Sequence, residues 1–234
     1  MQGKSSLKGR KMARLSSKKV NKILDLLKAE YPEAGCALEH VNVFELLICV
    51  VLSAQTTDAS VNRVSPDLFA KYPDAQALAG ASQNDVEEII RTIGMYKTKS
   101  RNIIALAKAL CDKYDGQVPE DYDALVALPG VGRKTANVVL AVGFGHQKIA
   151  VDTHVFRVSH RIGLATEETS GISAKNAGEK NVLATEKELM KVLPENRWTE
   201  AHHSLIWHGR NCCTARNPKC GSCPLSKQCR KNGV

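Results

Sequence analysis

Apolar residues recur at the three- and four-residue spacing of amphipathic helices along most of the 234-residue chain. Strict alternation of apolar and polar positions, the pattern of half-buried strands, is essentially absent. Glycine or proline separates most of the helical segments. The pattern predicts an all-α fold, with helices over residues 23–28, 43–54, 84–93, 99–114, 121–128, 134–144 and 185–193.

Two segments depart from the amphipathic pattern. Residues 43–54 are almost wholly apolar, which predicts a helix that is buried on all sides. Residues 165–184 are rich in threonine, glutamate, lysine, glycine and alanine, with little apolar content. We expect much of this second stretch to form a loop.

The composition is that of an ordinary globular protein, with 43% apolar and 24% charged residues. The chain has no apolar run of about 18 residues, the length that suggests a membrane span. The N-terminus lacks the apolar segment of a secretory signal. We therefore expect a soluble intracellular protein of one large or two small domains.

The net charge of +9 comes from the two ends of the chain. Residues 1–22 carry eight basic side chains and residues 210–234 carry six, and neither segment has an acidic residue. If the ends lie together, they form one basic face for a polyanion, most plausibly nucleic acid. Composition alone favours a disordered, solvated tail over residues 1–14, and a mitochondrial transit peptide is a weaker alternative.

Five of the eight cysteines lie in the last 23 residues. Four of them follow the pattern Cys213-x6-Cys220-x2-Cys223-x5-Cys229, with turn-forming residues between them. A long chain without an export signal argues against disulfides. Four thiolates at one centre suit either tetrahedral Zn²⁺ or a [4Fe–4S] cluster, and the spacing does not choose between them.

The string LPGVGRK at residues 128–134 joins two predicted helices through a glycine-rich turn. Pro129 ends the first helix, Gly130 and Gly132 permit a tight turn, and Val131 can plug into the core. The second helix then presents unsatisfied N–H groups where a phosphate could bind. A glycine-rich turn alone also fits a plain helical corner. The whole string is more specific, since it is the helix-hairpin-helix signature, a backbone grip on DNA phosphate.

Several motifs stand in a fixed order around this signature. They are VLSAQTTD at 51–58, TIGMYKTKSRNI at 92–103, LPGVGRKTANVVL at 128–140 and IAVDTHVFRV at 149–158, followed by the cysteine tail. In this order and context, the chain resembles the endonuclease III family of DNA base-excision repair enzymes. The resemblance runs from about residue 20 to residue 229.

The resemblance implies a fold, in which two helical domains flank a DNA-binding cleft. One is a six-helix domain over residues 36–146 that contains the hairpin. The other is a discontinuous cluster domain formed by residues 1–35 and 147–234. This arrangement would bring the two basic ends of the chain together.

The resemblance also implies a cofactor, a [4Fe–4S] cluster. The implied ligands are Cys213, Cys220, Cys223 and Cys229. Cys212 directly precedes the first of them and could substitute for Cys213. We interpret this cluster as structural, holding the basic loop from Arg216 to Lys219 against phosphate, with redox modulation of DNA affinity as a second hypothesis.

By resemblance, the activity is that of a bifunctional DNA glycosylase/AP lyase that removes oxidised pyrimidines from damaged double-stranded DNA. The enzyme would act as a monomer, with no membrane as a partner. It would lie in the cytoplasm, associated with the nucleoid, in a bacterium, or in the nucleus or mitochondria of a eukaryote.

The family pattern places a catalytic lysine at Lys134. Its amine would attack C1′ of the deoxyribose, form a Schiff base and allow β-elimination of the 3′ phosphate. A position at a helix start, beside Arg133, disfavours the ammonium form that would block such an attack. Spacing alone would favour a simpler role, in which Lys134 neutralises a DNA phosphate.

The family pattern also makes Asp152 the catalytic carboxylate, which would stabilise a cationic sugar and help to activate Lys134. Without that context, an Asp just before a helix is best interpreted as an N-cap. The two roles are compatible, because a carboxylate has two oxygens.

The remaining expected site residues contact DNA. Gln55 would fill the gap left by the flipped base, and Met95 occupies the wedge position, where the family pattern has leucine. In plainer alternatives, Gln55 caps its helix and Met95 belongs to the core, and Asp58 is predicted to be a turn or cap residue. The other expected DNA contacts are Gly130, Val131, Gly132, Arg133 and His154.

Two rival functions remain to be separated. A monofunctional glycosylase of the same fold would use a glutamate two turns before the Gln-Thr pair, but residues 49–52 hold no carboxylate. Such an enzyme, a thymine-mismatch glycosylase included, would not need Lys134. A non-catalytic DNA-binding module would explain the charge, glycines and cysteines, but not Asp152 or the Gln55 segment. We therefore predict the bifunctional enzyme.

Overall fold

The computed structural model describes residues 14–165 and 179–234, and within these ranges it contains no β-strand. The predicted all-α fold is confirmed. A 3₁₀ turn lies at Glu195–Arg197. The α-helices are α1 (Ser17–Glu30), α2 (Val43–Leu52), α3 (Asp58–Lys71), α4 (Ala75–Ala79), α5 (Gln83–Ile90), α6 (Tyr96–Tyr114), α7 (Tyr122–Val126), α8 (Arg133–Gly143), α9 (Thr153–Ile162), α10 (Glu179–Val192) and α11 (Trp198–Asn211).

A first hydrophobic core is built from α2 to α8. Its central helix is α2, which packs against α3, α6 and α8. Apart from the first and third positions, every residue of α2 is buried, so the helix predicted from the apolar run is confirmed. Asn42 caps this helix by accepting a hydrogen bond from the Glu45 amide at 2.9 Å, and the Glu45 carboxylate accepts one from the Val41 amide at 2.9 Å.

A second hydrophobic core is built from α1, α9, α10, α11 and the C-terminal segment. α11 packs against both α1 and α9. The chain therefore starts in the second core, crosses to the first, and returns after α8. The boundaries predicted for two domains, 36–146 against 1–35 and 147–234, stay a prediction.

Some predicted segments lie partly outside the described residues. These are most of the predicted tail over 1–14 and residues 166–178 of the predicted loop. The loop prediction is wrong for residues 179–184, which form the first turns of α10. Val182, Leu189 and Leu193 recur at helical spacing and pack on the second core, a pattern that the polar composition hides.

Several helices were not predicted, among them α3 and α11. α3 contains Pro66, and a proline in a sequence predicts the end of a helix. α11 is rich in histidine and polar residues, yet it buries Ala201, His202 and Leu205 on one face. Among the described residues, no helix is long and apolar enough to cross a membrane.

Candidate functional site

The glycine-rich turn between α7 and α8 is a tight hairpin that faces α6. Gly130 has a left-handed backbone (φ +76°), and a Cβ there would lie 3.2 Å from Cβ of Asn102. Val131 is buried in the first core and its amide donates to the Leu128 carbonyl at 3.1 Å. Gly132 is the N-cap of α8, with no side chain to bind the first amides of that helix. These amides are therefore available to an anion such as a phosphate.

The two expected catalytic residues stand at the starts of two helices. Lys134 is exposed in the first turn of α8. Asp152 is half-buried and caps α9, because its Oδ1 accepts hydrogen bonds from the His154 amide at 2.8 Å and the Val155 amide at 2.7 Å. The N-cap interpretation of Asp152 is thus confirmed. Among the described residues, Oδ2 of Asp152 accepts no hydrogen bond and is free for a second role.

A buried histidine connects these two residues. His202 of α11 is 4% exposed. Burial lowers its pKa, His203 and the charge of Lys134 lower it further, and the charge of Asp152 raises it. Lys134 and Asp152 therefore lie close enough to one imidazole for both to act on it. Sequence analysis missed His202, for which the adjacent histidine pair in a helix was the available signal.

His154 lies on α9 just after Asp152 and is half-buried. The Arg157 guanidinium lies 3.2 Å from its Nδ1 and also donates to the Gly209 carbonyl at 2.8 Å. Because Arg157 can only donate, Nδ1 must be the acceptor, and Nε2 carries the ring proton. Burial is the main cause that lowers the pKa of His154. A neutral ring with one N–H can donate a hydrogen bond to a phosphate oxygen.

Gln55 and Met95 share an unusual backbone. Both are non-glycine residues in the left-handed region, with φ of 54° and 59°, a conformation that costs of order 1–3 kcal/mol. Both are also exposed, Met95 by 56%. The plainer alternatives are wrong: Ser53 is the C-cap of α2, and Met95 is not part of the core. Strain of this kind, held on exposed side chains, is typical of functional loops.

Two ion pairs tie the elements of the first core to those of the second. Arg133 contacts Glu186 of α10 at 3.4 Å, and Arg210 of α11 contacts Asp58 at 2.8 Å. Burial raises the pKa of Glu186, against the lowering effect of the Arg133 charge. Thr57 is the N-cap of α3, so Asp58 is not the cap that we predicted but the partner of Arg210.

The four expected ligand cysteines line one cavity at the end of α9, with Arg161, Ile162 and Leu225 in the same wall. Arg161 Nη1 donates to Sγ of Cys213 at 3.5 Å, and the Lys231 amide donates to Sγ of Cys229 at 3.2 Å. Burial raises the pKa of the Cys229 thiol, and the hydrogen bond from the Lys231 amide opposes that rise. This donor set fits an iron–sulfur cluster, which needs four thiolates at one centre. The expected ligands that line the cavity are Cys213, Cys220, Cys223 and Cys229.

Two further groups border the same cavity, His208 and Cys212. Their ligand atoms and Sγ of Cys223 all lie within 4.8 Å of one another. His208 is also held by Tyr31, whose hydroxyl lies 3.1 Å from its Nδ1. Burial raises the pKa of the Cys212 thiol to about 12. The choice between Cys212 and Cys213 as first ligand stays a prediction.

The described part of the basic N-terminus lies near the C-terminal segment. Lys18, Lys19 and Lys22 of α1 border one shallow surface depression together with Gln228. α1 and the C-terminal segment are thus neighbours, as the arrangement implied by the resemblance led us to expect.

Family models match most of the chain. The model described as HhH-GPD superfamily base excision DNA repair protein matches residues 48–183. The model described as the iron-sulfur binding domain of endonuclease III matches residues 213–229. The chain is 45% identical to endonuclease III of Bacillus subtilis over 217 residues, which cover 93% of this chain and 94% of that protein.

The chain belongs to the endonuclease III family.

Other relatives support this assignment. Endonuclease III of Escherichia coli is 44% identical over 207 residues, covering 88% of this chain and 92% of that protein. A solved structure of a trapped endonuclease III–DNA covalent intermediate matches with a TM-score of 0.83 and 47% identity, covering 93% of this chain and 97% of that one. A thermostable thymine-DNA glycosylase has a TM-score of 0.78 at 23% identity, which shows a shared fold alone. As a member of the endonuclease III family with a matched iron–sulfur domain, the chain binds a [4Fe–4S] cluster.

Proposed function

We propose that this chain removes oxidised pyrimidines from duplex DNA and nicks the strand 3′ to the resulting abasic site, with Lys134 as nucleophile and Asp152 as its carboxylate partner. The broader activity, that of a DNA glycosylase and AP lyase of base-excision repair, follows from the endonuclease III family. The positions of the two residues support this assignment: Lys134 is exposed in the first turn of α8, Asp152 caps α9 through Oδ1, and the charges of both act on the buried His202.

The chemistry asks for a neutral amine at Lys134. The lone pair of Nζ attacks C1′, and the bond between C1′ and the damaged base breaks. The base leaves with the electron pair of that broken bond and takes up a proton. Oδ2 of Asp152 is available to accept the proton of Nζ and to stabilise the positive charge on the sugar. The C1′–O4′ bond then breaks, O4′ leaves with the electron pair of that bond and takes up a proton, and the nitrogen lone pair forms the iminium. Loss of a C2′ proton from this iminium expels the 3′ phosphate, which cuts the strand.

The lesion must leave the base stack before Lys134 can reach it. Gln55 and Met95 then fill the gap from two loops, which we name the first insertion loop (residues 53–57) and the second insertion loop (residues 91–95). Their exposure and strained backbones support this role. Methionine can serve as a wedge because its unbranched thioether is apolar and adaptable.

The hairpin binds a backbone phosphate near the site. The amides after Gly132 supply the donors, and the buried Val131 holds the turn in place. Arg133 is partly committed to Glu186, while His154 offers its Nε2–H. Gly130 and Gly132 also belong to the turn that binds this phosphate.

The cluster is bound by four thiolates, and its bound form holds the surrounding segment in shape. The ligands are Cys213, Cys220, Cys223 and Cys229. The match to the iron–sulfur domain begins at residue 213 and ends at residue 229, the first and last of these positions, which supports Cys213 over Cys212 as the first ligand. Between Cys213 and Cys220 the chain carries Arg216 and Lys219, which places basic groups where they can meet a phosphate.

The partner is damaged double-stranded DNA, since a related endonuclease III has been solved in covalent and non-covalent complexes with DNA. The enzyme acts as a monomer, because one chain carries the nucleophile, the carboxylate, both insertion loops and the cluster site. Its compartment is that of the genome, which is the cytoplasm with its nucleoid in a bacterium and the nucleus or mitochondrion in a eukaryote.

Borohydride trapping tests the proposal. Wild type, incubated with a duplex containing one oxidised pyrimidine, should give a covalent adduct once borohydride reduces the iminium. Lys134→Gln should lower adduct formation by roughly 1,000-fold or more, whereas Lys113→Gln, on the exposed end of α6, should not. Release of free base without an adduct would instead show a monofunctional glycosylase. Neither product, even on an abasic site and with intact visible absorbance, would show a DNA-binding module.

A further inference from the structure

A buried lysine joins the two insertion loops. Lys99 lies in the first turn of α6 and is only 4% exposed. Its Nζ donates to the Thr56 hydroxyl at 2.5 Å, in the first insertion loop. Its backbone amide donates to the Met95 carbonyl at 3.0 Å, in the second. The side chain of Lys99 therefore binds the first insertion loop, while its backbone amide makes the first helical hydrogen bond of α6 to Met95, the residue that ends the second loop.

The two insertion loops also approach each other closely at Gly94. A Cβ on Gly94 would lie 4.0 Å from the Thr56 hydroxyl oxygen. The residue before Met95 thus faces the residue after Gln55. The Thr56 amide in turn donates to the Ser53 carbonyl at 3.0 Å, which closes the first insertion loop as a turn. The two loops therefore approach each other at the residues next to Gln55 and Met95 in sequence.

A cation is a costly group to bury at such a place. Burial lowers the pKa of Lys99, which is the physical sign of lost hydration around its ammonium. A methionine would cover the same apolar surface without that cost. With 4% exposure, Lys99 is also poorly placed to contact a DNA phosphate directly. Its ammonium is therefore best explained by what it binds inside the protein.

We propose that Lys99 is a positioning residue, which fixes Thr56 beside Gly94 so that Gln55 and Met95 enter the duplex together at a constant separation. This inference rests on the proposed function, in which these two residues fill the gap left by the lesion. Both residues have strained backbones that an unsupported loop would leave. Lys99 keeps the loops ordered before DNA arrives, so that less ordering remains to be done on binding.

The proposal predicts a defect in base extrusion rather than in chemistry. Lys99→Met keeps the length and apolar stem of the side chain but removes its donors. It should slow single-turnover cleavage of a lesion in duplex DNA by about ten- to a hundred-fold. Borohydride trapping on a single-stranded abasic site needs no gap filling and should stay within about twofold of wild type. A 2-aminopurine base opposite the lesion should show a slower rise in fluorescence.

Three variants serve as controls. Lys99→Arg restores a donor and should recover most of the duplex activity. Lys108→Met removes an exposed lysine of the same helix and should have no effect. Thr56→Val removes only the acceptor, should change duplex cleavage in the same direction as Lys99→Met, and should add little to it in a double variant. This last variant carries the test if Lys99→Met fails to fold.

Two results would overturn the proposal. In one, Lys99→Met and Thr56→Val cleave duplex lesions as fast as Lys108→Met. In the other, Lys99→Met loses duplex cleavage and single-stranded trapping equally, together with thermal stability, which is the signature of a merely structural role. Absence of any adduct with wild type is a different result, since it overturns the proposed function and this inference with it.

Discussion

The two hydrophobic cores of this protein are completed by different kinds of structure. Leu47, Leu68 and Leu106 come from three helices of the first core and are fully buried, and the packing of helices α2 to α8 with the turns between them completes that core. In the second core, the chain after α11 continues to residue 234 without a further helix. Leu225 and partly buried cysteines complete the packing there. A segment too short and polar to bury much apolar surface is thus held by ligand bonds instead.

Removing a cluster ligand should give the largest difference in stability between the two cores. Cys223→Ser should abolish the visible absorbance and the binding of lesion DNA. Hydrogen exchange should show lost protection in residues 212–234, α9 and α11, because these elements surround the cavity. The amides of α2 and α6 should stay protected, since the first core does not depend on the cluster.

The neighbouring cysteines provide a matched pair for the same experiment. Cys213→Ser should lose the absorbance and Cys212→Ser should keep it. The reverse result would move the first ligand by one residue. Equal loss of protection in both cores with Cys223→Ser would show that they unfold as one unit.

Truncating a buried leucine in each core should show whether the two cores unfold separately. Leu47→Ala and Leu205→Ala should each lower the free energy of unfolding by about 2–5 kcal/mol, because each leaves a cavity. In urea titrations of Leu205→Ala, visible absorbance and helical circular dichroism should fall together. Leu47→Ala should lose circular dichroism from the first core with the cluster absorbance retained to higher urea. Identical curves for both variants would contradict two separately stabilised cores.

Acid should weaken the second core before the first. Burial holds the pKa of His202 below its ordinary 6.5, so the folded state keeps this ring neutral where the unfolded chain takes up a proton. Its stability is therefore fully present above pH 6.5 and falls as the pH drops below that value, by up to about 1.4 kcal/mol per pH unit. His202→Gln should flatten this dependence, measured as unfolding free energy between pH 7 and pH 5 (about two units).

His146 is the control for that measurement. It is exposed on the loop after α8, and His146→Gln should keep the wild-type slope. A slope unchanged in His202→Gln would show that other groups carry the acid sensitivity. His203 is the first group to examine then, because it is half-buried beside His202 and burial lowers its pKa too.

The ion pair between the cores should have the smallest effect. Asp58 and Arg210 are 24% and 44% exposed, so Arg210→Met should cost at most about 1 kcal/mol of stability. A double-mutant cycle with Asp58→Asn measures the pair itself. A coupling energy well above about 1 kcal/mol would mean that the two cores are joined more firmly than surface electrostatics allows.

The fold class and most helices could be predicted because apolar spacing records which face a helix buries. α3 and α11 were missed for a related reason. Pro66 and the histidines are poor signals in a local pattern, whereas in the structure tertiary packing decides. The N-terminal turns of α10 were obscured in the same way by polar composition.

Among the site residues, Asp152 could be predicted to cap α9, because capping is a local property of the chain. His202 and Lys99 could not be predicted, since their significance comes from neighbours more than 40 residues away in sequence. The strained backbones of Gln55 and Met95 were equally invisible, because neither residue type favours a left-handed conformation.

The position of α1 has a consequence for biosynthesis. This helix buries Val20, Ile23, Leu24 and Leu27 against elements that follow α8 in the chain. As the ribosome releases the chain from its N-terminus, residues 43–143 can collapse while α1 still lacks its partners. The apolar stripe of α1 then stays exposed until α9 and α11 have been synthesised, so this helix gains its partners only after the whole first core has been made.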